Sequence, residues 1–211
     1  MPTWLAQRVA PQGFALATDL DVSRLSGHAA GWETRRHDVG VEEPPPGPFD
    51  LVHARLVLVH VPRRAQALAS LVRALRPGGW LVIEDADAAL QPLGCPDERS
   101  PADKLANRLR QAFRALLAER GADLAFGRTL PRRLREAGLC DVRAEVFFPL
   151  GSPECARLER STIAQVRTHL LARGLVSEAE IEAHLKHVAS GRLDLATAPL
   201  VTAWGRKPAE G

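Results

Sequence analysis

Two hydrophobic periods alternate through the first half of the chain. Short apolar runs bounded by turn residues lie between stretches whose apolar positions recur at helical spacing, the pattern of an α/β domain with a mainly parallel sheet. Trp4, Leu5, Ala6 and Val9 predict an opening helix closed by Pro11 and Gly13. The run Phe14 to Thr18 predicts a strand ending in Asp19, followed by a helical stretch at 22–30. Residues 33–39 form a weaker strand pattern around a second aspartate, Asp38, and VEEPPPGP is a turn-rich linker. Phe49 to Val61 is the strongest buried-strand pattern, its later residues entering a loop. Beyond Pro62, Ala65, Leu68, Leu71, Val72 and Leu75 share one helical face, which Pro77-Gly78-Gly79 ends before a buried strand at 80–85.

The second half changes texture. After a loop at 91–101, Leu105, Leu109, Phe113, Leu116 and Leu117 mark an amphipathic helix with arginines opposite. A short helix at 129–137 is ended by Gly138, and VRAEVFFPL (142–150) reads as a strand. Residues 154–173 are helical up to Gly174. Ser177-Glu178-Ala179-Glu180 forms a capping box that opens a helix to about Ser190, and Leu200 to Trp204 is a last strand. No internal repeat is visible, and no apolar run approaches the roughly 18 residues a membrane-spanning helix requires; no membrane partner is expected.

Composition adds bounds to this picture. A chain of 211 residues with 45% hydrophobic and 25% charged residues is long enough for a substantial core and suits a single domain. The net charge of +3 comes without a block of like charge, so nucleic acid is a disfavoured partner. There is no Tyr, and the six Phe and four Trp form no evident base-stacking pocket. Cys95, Cys140 and Cys155 are odd in number and widely spaced; they fit reduced thiols of a cytoplasmic protein better than a disulfide framework.

The chemistry starts at two strand ends. A carboxylate offers two acceptor oxygens and no donor, so an acid at the carboxyl end of a strand can hold both hydroxyls of a ribose; Asp19 has that place. Asp38 could accept from an exocyclic amine while the next backbone amide donates to a ring nitrogen. Either aspartate also serves as an ordinary turn or cap residue. A third element narrows the choice: FDLVHARLVLVHVP, a helix, then LRPGGWLVIED. This succession resembles the class I, Rossmann-like S-adenosylmethionine-dependent methyltransferases of the bacterial small-molecule type, in which a strand opening on FD precedes a loop, a helix and an L-[RK]-P-G-G turn. The resemblance is close over residues 1–90 and looser to the end.

What the resemblance implies is a three-layer, doubly wound, mostly parallel α/β sheet. Residues 1–90 would form a cofactor-side half, and 91–211 a helical cap with the C-terminal strands. S-adenosylmethionine would be the cofactor and a small molecule the substrate. Asp19 becomes the ribose acid with Leu20 against the adenine, and Asp38 the acceptor of the adenine amine with Val39 beside it. His53, Ala54 and Arg55 line the methionine side; Glu84 and Asp85 face the substrate.

The chain departs from the family in one respect. The acidic-x-Gly-x-Gly-x-Gly turn is absent, because the sequence opens at the helix that would follow it, so the first strand of the sheet is also missing. Three explanations stay open. The chain is a piece of a longer enzyme; or its strands close the gap or pair across a homodimer; or the fold has given up its cofactor and serves as a non-catalytic binding or assembly partner. A nucleic-acid methyltransferase is a further alternative.

The remaining candidates are plainer. His53 and His60 bracket the buried strand, and either could act as a base on a substrate hydroxyl, since an unperturbed His titrates near pH ~6.5. His184 and His187 stand at i and i+3, but with no third ligand in sight they read as a solvated helix face, and no metal site is expected. RTLPRRLR reads as a polar helix face, and neither Ser152 nor Cys140 has the setting of a nucleophile.

Overall fold

The computed structural model describes residues 2–25 and 31–209. Helix α1 (Pro2–Val9) precedes strands β1 (Ala15–Asp19) and β2 (Trp32–Arg36). Strand β3 (Phe49–Arg55) leads through a 3-10 turn at Leu58–His60 into α2 (Arg64–Ala74) and β4 (Leu75–Ala86). Then follow α3 (Pro101–Glu119), α4 (Leu130–Glu136), β5 (Cys140–Phe147), α5 (Pro153–Ala172), α6 (Glu178–Ala189) and β6 (Leu200–Arg206). Residues 22–25 form a 3-10 turn in place of the start of the expected helix; positions 26–30 lie outside the described residues.

The strands form two sheets. β1 and β2 make a parallel pair, and β3-β4-β6-β5 a four-stranded sheet. Pairing in the larger sheet is parallel only for β3 with β4; β6 runs antiparallel to both β4 and β5, so the sheet is mixed. No strand pairs the edge of β3 that faces away from β4 among the described residues. The two sheets nevertheless point the same way. Phe14, before β1, and Phe49, opening β3, bring their rings to 6.1 Å, and a Cβ on Gly40, after β2, would come within 3.1 Å of Val61, after β3. The carboxyl ends of β1, β2 and β3 therefore share one rim.

The main core lies on one face of the larger sheet. Leu75, Leu81 and Ile83 of β4, Val201 and Ala203 of β6 and Ala54 of β3 pack against Leu58, Leu68, Leu130 and Leu134 from the turn, α2 and α4. Alternation along the strands sends the other set of residues to the opposite face. That face is open: Leu51 is 43% and Trp80 38% exposed. β4 begins earlier than the pattern predicts. α2 ends at Ala74, so Leu75, expected on the helical face, and Pro77-Gly78-Gly79, expected as its stop, all belong to the strand; at Gly79 a Cβ would come within 3.1 Å of the Phe49 and Asp50 carbonyl oxygens.

A second core forms where α3, α5 and α6 meet, from Leu109, Leu116, Ile163, Val166, Leu170 and Ile181. Both flanking helix starts are built as capping boxes. Ser100 with Asp103 opens α3, and Ser177 with Glu180 opens α6 as its sequence predicts. Between these helices the Glu159 carboxylate accepts from Arg110 at 3.2 Å and lies 2.9 Å from Nε2 of His184. His184 is fully buried, which corrects its reading as part of a solvated face. Its helix turns inward because Ile181, His184 and Val188 fall on one stripe. No group of three metal-ligating side chains occurs among the described residues.

Candidate functional site

Asp19 and Asp38 come together at the rim. Asp19 pairs in register with Arg36, and the His37 amide donates to the Asp19 carbonyl at 3.0 Å. Each carboxylate also performs the local turn duty its residue type favours. One Asp19 oxygen accepts from the Asp21 amide at 3.0 Å and one Asp38 oxygen from the Gly40 amide at 2.9 Å. The second oxygen of each has no hydrogen-bond partner among the described residues. Leu20 is 59% exposed beside them. Val39, by contrast, packs against the main core, so its side chain does not line the rim.

Glu42 steadies this corner. Its carboxylate accepts from the Asp38 amide at 3.0 Å and pairs with Arg36 at 3.1 Å. The backbone hydrogen bond first, and the Arg36 contacts with it, hold its pKa below the ordinary value.

The end of β3 divides by strand alternation. Ala54 faces the core and is buried, so it lines nothing through its side chain. His53 and Arg55 project from the open face toward Glu84 of β4. His53 Nε2 lies 3.0 Å from one Glu84 oxygen, and Arg55 Nε lies 3.8 Å from the same atom. Thr202 of β6 donates to the other at 3.2 Å. One carboxylate thus ties three strands together across the open face.

Directly after β3, Leu56 adopts φ 53°, a left-handed conformation that is costly for a residue with a branched side chain. Its amide donates to the Glu84 carbonyl at 2.8 Å, and its side chain is 46% exposed.

His60 ends the 3-10 turn at the same rim. Loss of solvent around the ring, and then the charge of Arg64, lower its pKa below the ordinary value. Arg64 clamps this turn by donating to the Val59 carbonyl at 3.1 Å and the Gly121 carbonyl at 2.7 Å.

Asp85 departs most from its sequence reading. It shares the core face with Leu81 and Ile83, is fully buried, and among the described residues neither carboxylate oxygen has a hydrogen-bond partner. Burial pushes its pKa up to about 7, against the pull of nearby backbone amides at 57–59 and of Arg64. It does not face a substrate; it lies beneath the turn that carries His60. Asp87, two residues on, is also buried but is paired: Arg128 donates to both its oxygens, at 2.7 and 2.6 Å. Sequence reading missed this pair, whose members stand 41 positions apart. A cleft of about 440 Å³ on the α2–α4 flank is lined by Pro62, Arg63, Arg64, Ala65, Gln66 and Arg133, none of them among the strand-end residues.

Comparison with known proteins agrees with this architecture. Residues 4–144 match the family model described as a methyltransferase domain. The chain is 32% identical over 128 residues to Methyltransferase str2 of Strobilurus tenacellus, covering 59% of the chain and 44% of that protein. It spans less than half the length of the curated relatives it matches. Among solved structures, a putative methyltransferase from an antibiotic biosynthesis pathway of Anabaena variabilis superposes with a TM-score of 0.62 at 14% identity, over 97% of this chain and 86% of that one. A Haemonchus contortus phosphoethanolamine N-methyltransferase, solved with phosphomonomethylethanolamine and S-adenosylhomocysteine, gives 0.51 at 16%, over 98% and 52%. With the family model covering well over half of its length and the fold shared with these enzymes, the chain belongs to the methyltransferase domain family.

Proposed function

We propose that this chain binds S-adenosylmethionine and transfers its methyl group to a small-molecule nucleophile. The observation that carries the reading is the pairing of Asp19 and Asp38 at adjoining strand ends, each with one oxygen in its own turn and one without a hydrogen-bond partner among the described residues. The donor set suits an adenosine. A carboxylate at Asp19 can accept from ribose hydroxyls, exposed Leu20 offers an apolar surface to a base, and Asp38 can accept from an amine. When bound, the cofactor supplies a methyl already activated on a sulfonium. The chain's own task is then to hold the adenosine, orient the nucleophile and exclude water. His60 takes the proton that the nucleophile gives up; His53 is held by Glu84 and shapes the methionine side together with Arg55. The small-molecule ligand of the Haemonchus enzyme supports the substrate class.

Calorimetric titration of S-adenosylmethionine, and separately S-adenosylhomocysteine, into the 211-residue chain tests the reading. Saturable one-to-one binding is expected, and heat no greater than dilution would overturn it for this chain. Asp19→Ala should weaken binding by about 1–3 kcal/mol, the value of charge-assisted hydrogen bonds. A mutant that titrates like the parent would put the ribose elsewhere.

A further inference from the structure

Strand β5 closes one side of the larger sheet, and its outer edge is bare. Among the described residues it pairs only with β6, and every residue from 143 to 148 is exposed, Ala144 included. Val146 is 54% and Phe147 65% exposed. Arg143 and Glu145 have no ion pair among the described residues. An edge with free amides and carbonyls is a template for another strand unless something blocks it.

We propose that this edge is a self-association surface, on which two copies of the chain pair β5 to β5, antiparallel, about a two-fold axis through Ala144. The choice of a second copy rests on charge complementarity. A two-fold axis perpendicular to a sheet keeps each side chain on its own face, so opposed residues must be an even number of positions apart. Three central registers satisfy this rule. An axis through Arg143 sets Arg143 against its own copy, and an axis through Glu145 sets two glutamates together. Only the axis through Ala144 places Arg143 opposite Glu145 of the second copy, twice by symmetry. The same register sets Val142 against Val146 on the core-side face, where Val146 extends beyond the packed helices. Opposite charges facing across a strand pair stabilise it, and like charges oppose it. The two charges that would guard a lone edge therefore select one partner and one register. The Asp141 kink, at φ 53°, and the register shift between Cys140 and Arg143 end the pairing surface on that side.

Sedimentation velocity over a range of concentrations tests this. The parent chain is expected to sediment as a dimer of twice 22.9 kDa at high concentration. Glu145→Arg sets arginines against arginines, and Arg143→Glu sets glutamates against glutamates. Each alone should weaken dimerisation about tenfold or more. An equimolar mixture of these two variants restores opposite charges at both positions and should form a heterodimer as tightly as the parent. Both sites are exposed, so far-UV circular dichroism spectra should match the parent and show that the folds are intact. A parent chain that stays monomeric at every concentration would overturn the proposal. So would single variants that dimerise unchanged, or a mixture no tighter than its components.

Discussion

Asp85 is a fully buried carboxyl whose two oxygens have no hydrogen-bond partner among the described residues. Burial raises its folded-state pKa to about 7, well above the ordinary carboxylate range. For an acid shifted upward, the neutral form is the one the fold favours. The contribution to stability is therefore complete below the unfolded pKa and is lost as pH rises toward 7. At most roughly 4 kcal/mol is involved. Asp85→Asn keeps the shape and removes the titration. Relative to the parent it should gain stability progressively between pH 5 and pH 8, measured by urea denaturation at both values. Parallel stability curves for the two proteins would show that the carboxyl does not titrate in this range. Glu159 behaves in the opposite sense. Burial would raise its pKa, but the His184 hydrogen bond and the Arg110 charge outweigh it and hold the pKa below the ordinary value. Glu159→Ala leaves Arg110, whose side chain is 11% exposed, without its buried counter-charge. The expected loss is about 3–5 kcal/mol in the same denaturation assay.

At the scale of elements, the helices of the second half depend on their ends as much as on their faces. Ser177 accepts from the Glu180 amide at 3.3 Å, and Glu180 accepts from the Ser177 amide at 2.8 Å. Ser177→Ala removes one of these bonds and exposes an orphan donor, which should cost about 0.5–2 kcal/mol of stability. An unchanged midpoint in urea would mean that packing of Ile181 and Val188 alone sets the start of α6. The strands obey alternation just as strictly. A shift of one position along β3 would exchange Ala54 with His53 and bury an imidazole in the apolar core.

For the whole molecule, two features define what the fold offers. The carboxyl ends of β1, β2 and β3 converge on one rim carrying Asp19, Asp38, Leu56 and His60. At the other end of strand order, β5 leaves an edge whose charges are complementary only to themselves under two-fold symmetry. The mixed sheet separates these roles. Because β6 is inserted between β4 and β5, two strands separate β5 from β3. Cofactor titration and sedimentation therefore probe independent surfaces, and Glu145→Arg should leave binding of S-adenosylhomocysteine unaltered.

Local periodicity by itself determined most of the elements. The amphipathic helix at 101–119, the capping box at Ser177 and the buried strand before Glu84 all follow from spacing that needs no distant partner. The succession of FD, helix and LRPGG also sufficed to indicate the family, since it specifies a strand, a crossover and a turn in order. Which face each residue takes, and which distant residue it meets, was decided only in three dimensions. Asp85 stands next to Glu84 in the chain, yet pleating sends one to the core and the other to the open face. His184 resembles His187 in a helical sequence until Arg110 and Glu159, 74 and 25 positions away, close over it. Such pairings depend on contacts between elements far apart in the chain, and neither hydrophobic period records them.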